Sequence, residues 1–161
     1  MFTVAVAEEE KDVLYGLLKD LLRKKDLAER VVLLHAPMQA QHPCRFDILV
    51  WNIGCCRSFG GFSASALVAA GEQAAAAVQA CSADTLLTYG MGGKDTITPS
   101  SLLRPGGMAA LQREVLSCSG NVLLPREIDL TGFSGDLLQK MAQAAVLLLL
   151  EGVEKGKTCI S

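Results

Sequence analysis

The chain lacks any excess of basic charge. Its 161 residues carry 15 Lys and Arg against 17 Asp and Glu, a formal charge of −2 with an isoelectric point near 5.7. The cations are scattered or sit beside carboxylates, as in Arg23-Lys24-Lys25-Asp26. Nothing of this kind neutralises a phosphate backbone, so nucleic acid is excluded as a partner. Long hydrophobic runs are also missing. The longest, residues 142–150, is interrupted by Gln143 and is about half of what a bilayer crossing needs, so no membrane span is expected. The apolar opening Met1-Phe2-Thr3-Val4-Ala5-Val6-Ala7 is shorter than a signal peptide's core and is followed by Glu8-Glu9-Glu10 instead of preceded by basic residues. It reads as a buried first strand. No Cys-x-x-Cys or His-x-x-x-His pair occurs among Cys44, Cys55, Cys56, Cys81, Cys118, Cys159, His35 and His42, which argues against a metal or redox centre, and no third group orients a Cys–His nucleophile. Six thiols without an export signal point to the cytoplasm and to free, mostly buried cysteines. Internal repeats, low-complexity linkers and a second domain are absent as well.

What is present alternates between strand and helix patterns, the order that builds parallel sheets. Residues 2–7 read as a strand. Residues 12–27 place Val13, Leu14, Leu17, Leu18, Leu21 and Leu22 three and four apart, with Lys19, Asp20, Arg23 and Lys24 opposite, which predicts an amphipathic helix on a sheet. Glu8-Glu9-Glu10 introduces it, with negative charge at the positive end of the helix dipole. Residues 31–34 and 47–52 are apolar without alternation, as covered parallel strands are. Residues 64–80, rich in alanine, read as a second helix, and 85–89 as a fourth strand. Residues 111–117 and 122–130 predict an edge hairpin turning at Ser119-Gly120-Asn121. A closing helix runs from a cap at Ser134 to a stop at Gly152. The whole predicts a three-layer, Rossmann-like α/β domain over residues 1–153, with a mostly parallel sheet, helices on both faces, the C-terminal edge hairpin and closing helix, and a frayed tail at 154–161.

Two loops invite chemistry. Gly90-Met91-Gly92-Gly93-Lys94-Asp95-Thr96 leaves a strand at its carboxyl end, where glycine N–H groups can approach an anion and Lys94 can neutralise it. It is not a P-loop. A glycine is required five positions before the Gly-Lys pair and Ser or Thr after the lysine, but Thr88 and Asp95 stand there. A tight turn leaving a strand is the plainer reading. The second loop, Asn52-Ile53-Gly54-Cys55-Cys56-Arg57-Ser58-Phe59-Gly60-Gly61-Phe62-Ser63, follows the third strand, with Arg57 available as an anion clamp or merely exposed on a crossover.

Asn52-Ile53-Gly54 with Gly60 and Ser63, together with Thr88-Tyr89-Gly90 through Ser100-Ser101, the hairpin and the closing helix, resembles the central domain of the Mur ligase family. That family makes peptidoglycan precursors by ATP-dependent amide formation. The resemblance covers residues 45–152 and carries over Asn52, Gly54 and Gly60 as loop formers. It departs at the decisive places. Glu8-Glu9-Glu10 stands where the family's phosphate loop belongs, Arg57 replaces its histidine, and no stretch resembles its C-terminal domain.

These residues together predict a non-catalytic binding or regulatory module, a reduced Mur ligase central domain without ligase activity or cofactor. The rival is an enzyme or sensor that holds a small anionic ligand, a nucleotide or nucleotide sugar, on the loops after strands three and four, through Asn52, Gly54, Arg57, Gly60, Gly90, Gly92, Gly93 and Lys94. ATP with magnesium enters only under that rival. A homo-oligomer is the third expectation, since the alanine-rich and closing helices and the hairpin can pack on a second copy.

Overall fold

The structure, a computed structural model, describes residues 1–9, 13–37, 44–53, 61–101 and 106–153. The predicted tail lies outside them. The chain runs through β1 (Phe2–Glu8), α1 (Val13–Lys24), β2 (Val31–His35), β3 (Cys44–Asn52), β4 (Phe62–Ala70), a single 3₁₀ turn (Gly71–Gln73), α2 (Ala74–Ala80), β5 (Cys81–Tyr89), β6 (Ile97–Ser101), β7 (Met108–Leu111), β8 (Val115–Leu116), β9 (Val122–Leu123), β10 (Arg126–Asp129) and α3 (Leu137–Leu149). Eight strands form one sheet in the order β10-β7-β6-β5-β4-β3-β1-β2. Strands β1 to β6 pair in parallel, and β7 and β10 close one edge antiparallel. The α/β, Rossmann-like, three-layer architecture is the one the sequence predicts.

Strand alternation divides the core into two layers. Val4 and Val6 of β1, Ile48 and Val50 of β3 and Val68 of β4 pack with Leu14, Leu18, Leu21 and Leu22 of α1 and Met141, Ala145 and Leu149 of α3. On the opposite face Ala5, Ala7, Leu49, Leu67 and Ala69 meet Ala77 and Ala80 of α2, with Trp51, Phe46 and Phe62 filling the rest. Small residues on this face let α2 sit close to the sheet, and Trp51 supplies the bulk.

One element was misassigned by sequence reasoning. The helix expected over residues 64–80 is strand β4 followed by the 3₁₀ turn, and only Ala74–Ala80 is helical. Alanine favours a helix in isolation, but residues 62–70 sit between β3 and β5 with both faces covered, and burial outweighs a propensity of a few tenths of a kcal/mol per residue. The following strand accordingly begins at Cys81, earlier than expected. The hairpin is also more divided than expected. Its turn joins β8 to β9 as a separate two-stranded ladder, while its outer arms continue as β7 and β10 on the sheet edge. Pro125, which has no N–H to give a ladder, stands between β9 and β10. The closing helix caps at Asp136, not Ser134: the Asp136 side chain accepts from Gln139 N at 2.8 Å and Gln139 Oε1 accepts from Asp136 N at 2.9 Å. No described helix is long and apolar enough to cross a membrane.

Candidate functional site

The progression of strands reverses between β1 and β3, because β2 lies beyond β1 on one side while β3, β4 and β5 follow on the other. Ligands of open α/β sheets bind outside the carboxyl ends of strands at such a reversal. Here those ends carry Glu8 and Asn52, which are direct cross-strand partners. Both belong to the sheet face covered by α1 and α3, since they continue the register of Val6 and Val50. Asn52 Nδ2 donates to Glu8 Oε1 at 3.0 Å. The same carboxylate accepts from Leu14 N at 2.8 Å and from Tyr15 N at 3.0 Å. An internal anion thus occupies the amino end of α1, the position from which a helix would otherwise offer its free N–H groups to a phosphate.

Beside this bridge is a cavity of about 160 Å³ lined by Asn52, Glu72, Gln73, Tyr89, Asp136 and Gln139, with Leu14, Ala70, Leu138 and Ala142 as its apolar wall. The ends of β3, β4 and β5 and the first turn of α3 bring these groups together. Tyr89, the last residue of β5, is 3% exposed. Burial, and then the charges of Asp136 and Glu8, push its phenol up to about 12, so it stays protonated at neutral pH. Gln73 Oε1 is buried without a hydrogen-bond partner.

The glycine loop is closed on itself. Asp95, 8% exposed, accepts from Gly92 N through Oδ2 at 2.9 Å. A Cβ at Gly90 would lie 2.8 Å from Asp95 Oδ2, and one at Gly71 would overlap Asp95 Oδ1. The glycines therefore wrap the chain's own carboxylate. Gly92 and Gly93 also border a shallow cleft of about 430 Å³ with Thr98, Pro99 and Ser101. Lys94 is exposed, and its carbonyl accepts from Arg113 Nη2 at 2.6 Å.

No family model, curated protein or solved structure matches this chain significantly. Its site has to be read from its own chemistry.

Of the residues singled out from sequence, Asn52 lies in the cavity at the strand reversal, Gly90 packs on Asp95, and Gly92 and Gly93 border the separate shallow cleft. Gly54, Arg57 and Gly60 lie outside the described residues, as do Cys55, Cys56 and His42. Among the described residues no three His, Cys, Asp or Glu side chains are grouped to hold a metal ion. His35 stacks on Tyr15 with ring centroids 3.8 Å apart, and Cys81 and Cys118 are free thiols. Sequence reasoning missed Gln73, Tyr89, Asp95 and Asp136. Gln73 was hidden inside the misassigned helix. Tyr89 had a usable signal, a polar-tipped aromatic closing a buried strand immediately before glycine.

Proposed function

We propose that this domain is a non-catalytic binding or regulatory module on a Rossmann-like frame, related in plan to a Mur ligase central domain and working in the cytoplasm. The observation that carries the reading is the Glu8 carboxylate, held by Leu14 N, Tyr15 N and Asn52 Nδ2 at the strand reversal. A triphosphate brought to the amino end of α1 would have to displace this carboxylate and would meet its negative charge. Asp95 plays a similar part in the glycine loop, where Gly92 N is already satisfied. The test is direct: purified protein with ATP and magnesium should hydrolyse nothing above background, and ATP, ADP and phosphate should leave the melting temperature unchanged. Hydrolysis that disappears in Lys94→Ala would overturn the reading.

A second reading rests on the shallow cleft beside Gly92 and Gly93, where exposed Lys94 is the nearby cation in sequence. A nucleotide sugar, or ATP with magnesium, would place its phosphates there, beside Lys94. A saturable rise in melting temperature with a UDP-sugar, lost in Lys94→Ala, would favour this reading over the first.

A further inference from the structure

The cavity at the ends of β3, β4 and β5 contains polar atoms that the protein itself leaves without partners. Gln73 Oε1 is buried and accepts from nothing. The Tyr89 hydroxyl makes no hydrogen bond to the described residues, although the side chain lines the cavity and is 3% exposed. A polar group buried without a partner costs about 1–3 kcal/mol and is uncommon in folded proteins, where another protein group, an ordered water or a bound molecule satisfies it. Here such an amide oxygen shares one cavity with a phenol hydroxyl that bonds to none of the described residues.

The surrounding charge narrows the class of occupant. Glu72 and Asp136 line the cavity, and the Glu8 charge is felt at Tyr89, whereas among the described residues no Lys, Arg or His lines it. Against these groups an anion would meet like charge, and an ammonium would meet opposite charge. A metal ion lacks its ligand set among the described residues. The volume, about 160 Å³, is close to that of a cavity that holds benzene, so the occupant has at most on the order of eight heavy atoms.

We infer that this cavity binds a small organic molecule carrying a primary ammonium group. Its N–H donors are matched by Gln73 Oε1, by the Asp136 carboxylate, which gives one oxygen to Gln139 N, and by the side-chain oxygen of Asn52, whose Nδ2 is held by Glu8. The Tyr89 hydroxyl is left to bond a second polar group of the ligand, and Leu14, Ala70, Leu138 and Ala142 cover its carbon skeleton. The inference rests on the reading of the domain as a binding module and names the ligand class of that same strand-end site. The two can fail separately: ATP hydrolysis would overturn the first without bearing on amine binding.

The experiment is a titration of the ¹⁵N-labelled full chain with ethanolamine at neutral pH, with ethylene glycol and inorganic phosphate in parallel. Ethanolamine should give saturable shifts at the amides of Gln73, Tyr89, Glu72 and Asp136. Ethylene glycol, which replaces the ammonium by a hydroxyl, should bind at least about tenfold more weakly, since a hydrogen bond to a charged group is worth about 1.5–3 kcal/mol. Phosphate should leave the cavity amides unmoved. Gln73→Met and Tyr89→Phe should each weaken ethanolamine binding by roughly tenfold while the melting temperature holds or rises, because neither side-chain group has a partner to lose in the free protein. Glu72→Gln, on an exposed side chain, should weaken it without touching the fold. Absence of saturable cavity shifts with ethanolamine, equal binding of ethylene glycol, or unchanged affinity in all three variants would each overturn the inference.

Discussion

At Gly71 a single methyl group is too much. Its Cβ would overlap the Asp95 carboxylate, which is itself tied to Gly92 N, so the carboxylate cannot move without losing that bond. Gly71→Ala should therefore destabilise the fold by about 2 kcal/mol, in the range for overpacking. Combined with Asp95→Ala, the glycine substitution should cost almost nothing further, a coupling that a double-mutant cycle read by chemical denaturation measures directly. Trp51, the only tryptophan and fully buried, reports the transition. Tyr89 gives a prediction in pH. Its phenol is raised from the usual 10 to about 12, so between those values the unfolded chain releases a proton that the folded chain keeps. The unfolded state then binds fewer protons, and stability that is intact below pH 10 falls by about 2 kcal/mol by pH 12. In Tyr89→Phe this part of the decline should vanish. A wild-type and variant that lose stability in parallel over that window would show that the phenol is not held in its neutral form. The sequence made Asn52 legible because it follows an apolar strand, where a polar side chain marks a strand end. Asp95 was legible only as the residue that spoils a P-loop, since no local pattern says that a carboxylate a few residues further on will fold back under its own glycines.

Elements whose stability comes from a periodic apolar stripe were legible, and elements placed by their neighbours were not. Helix α1 follows the spacing of Leu14, Leu18, Leu21 and Leu22, all buried, and α3 follows its run of buried alanines and leucines. Strand β4 was not, because Ala64, Ala66, Ala69 and Ala70 have little side chain with which to express a period, and the two flanking strands decide the conformation. Local capping chemistry likewise refined what periodicity left open. Asp136 and Gln139 close a reciprocal pair of bonds that Ser134, two residues earlier, does not make; instead the Ser134 carbonyl accepts from buried Gln143 Nε2 at 2.7 Å. Asp136→Ala should lower stability by about 1 kcal/mol, a typical cost for a lost cap. Glu8 has more to lose. It satisfies two backbone N–H groups at the start of α1 and fixes Asn52 across the strand reversal, so Glu8→Ala should cost about 2–3 kcal/mol, with Glu8→Gln recovering part of it. Urea midpoints that fall in the order wild type, Gln, Ala would support the internal-anion role. Equal midpoints for all three would remove the argument that this carboxylate is built into the helix start.

At the scale of the molecule, the β8–β9 ladder leaves an apolar face uncovered among the described residues. Leu116 and Val122 are opposite each other in that ladder, and Leu124 follows immediately after the end of β9; the three are 53%, 59% and 61% exposed. Nearby β10, the outer strand of the main sheet on that side, carries Arg126, Glu127 and Asp129, charges that discourage strand addition at this edge. Association at this end of the molecule would therefore use the apolar side-chain face instead of extending the sheet. A second copy is the occupant proposed for it, because a short antiparallel ladder can place its face against itself across a two-fold axis, with each leucine meeting its symmetry partner. Sedimentation equilibrium should show a mass that rises with concentration from one chain towards two. Leu116→Lys with Val122→Lys should hold the mass at one chain, since like charges would then be brought together across the axis, and the Trp51 unfolding transition should remain unchanged because neither side chain is buried in the free protein. A wild-type mass of one chain at every concentration would leave the ladder face without a second copy to cover it, and the alanine- and leucine-rich layers would then serve only the core of a single chain.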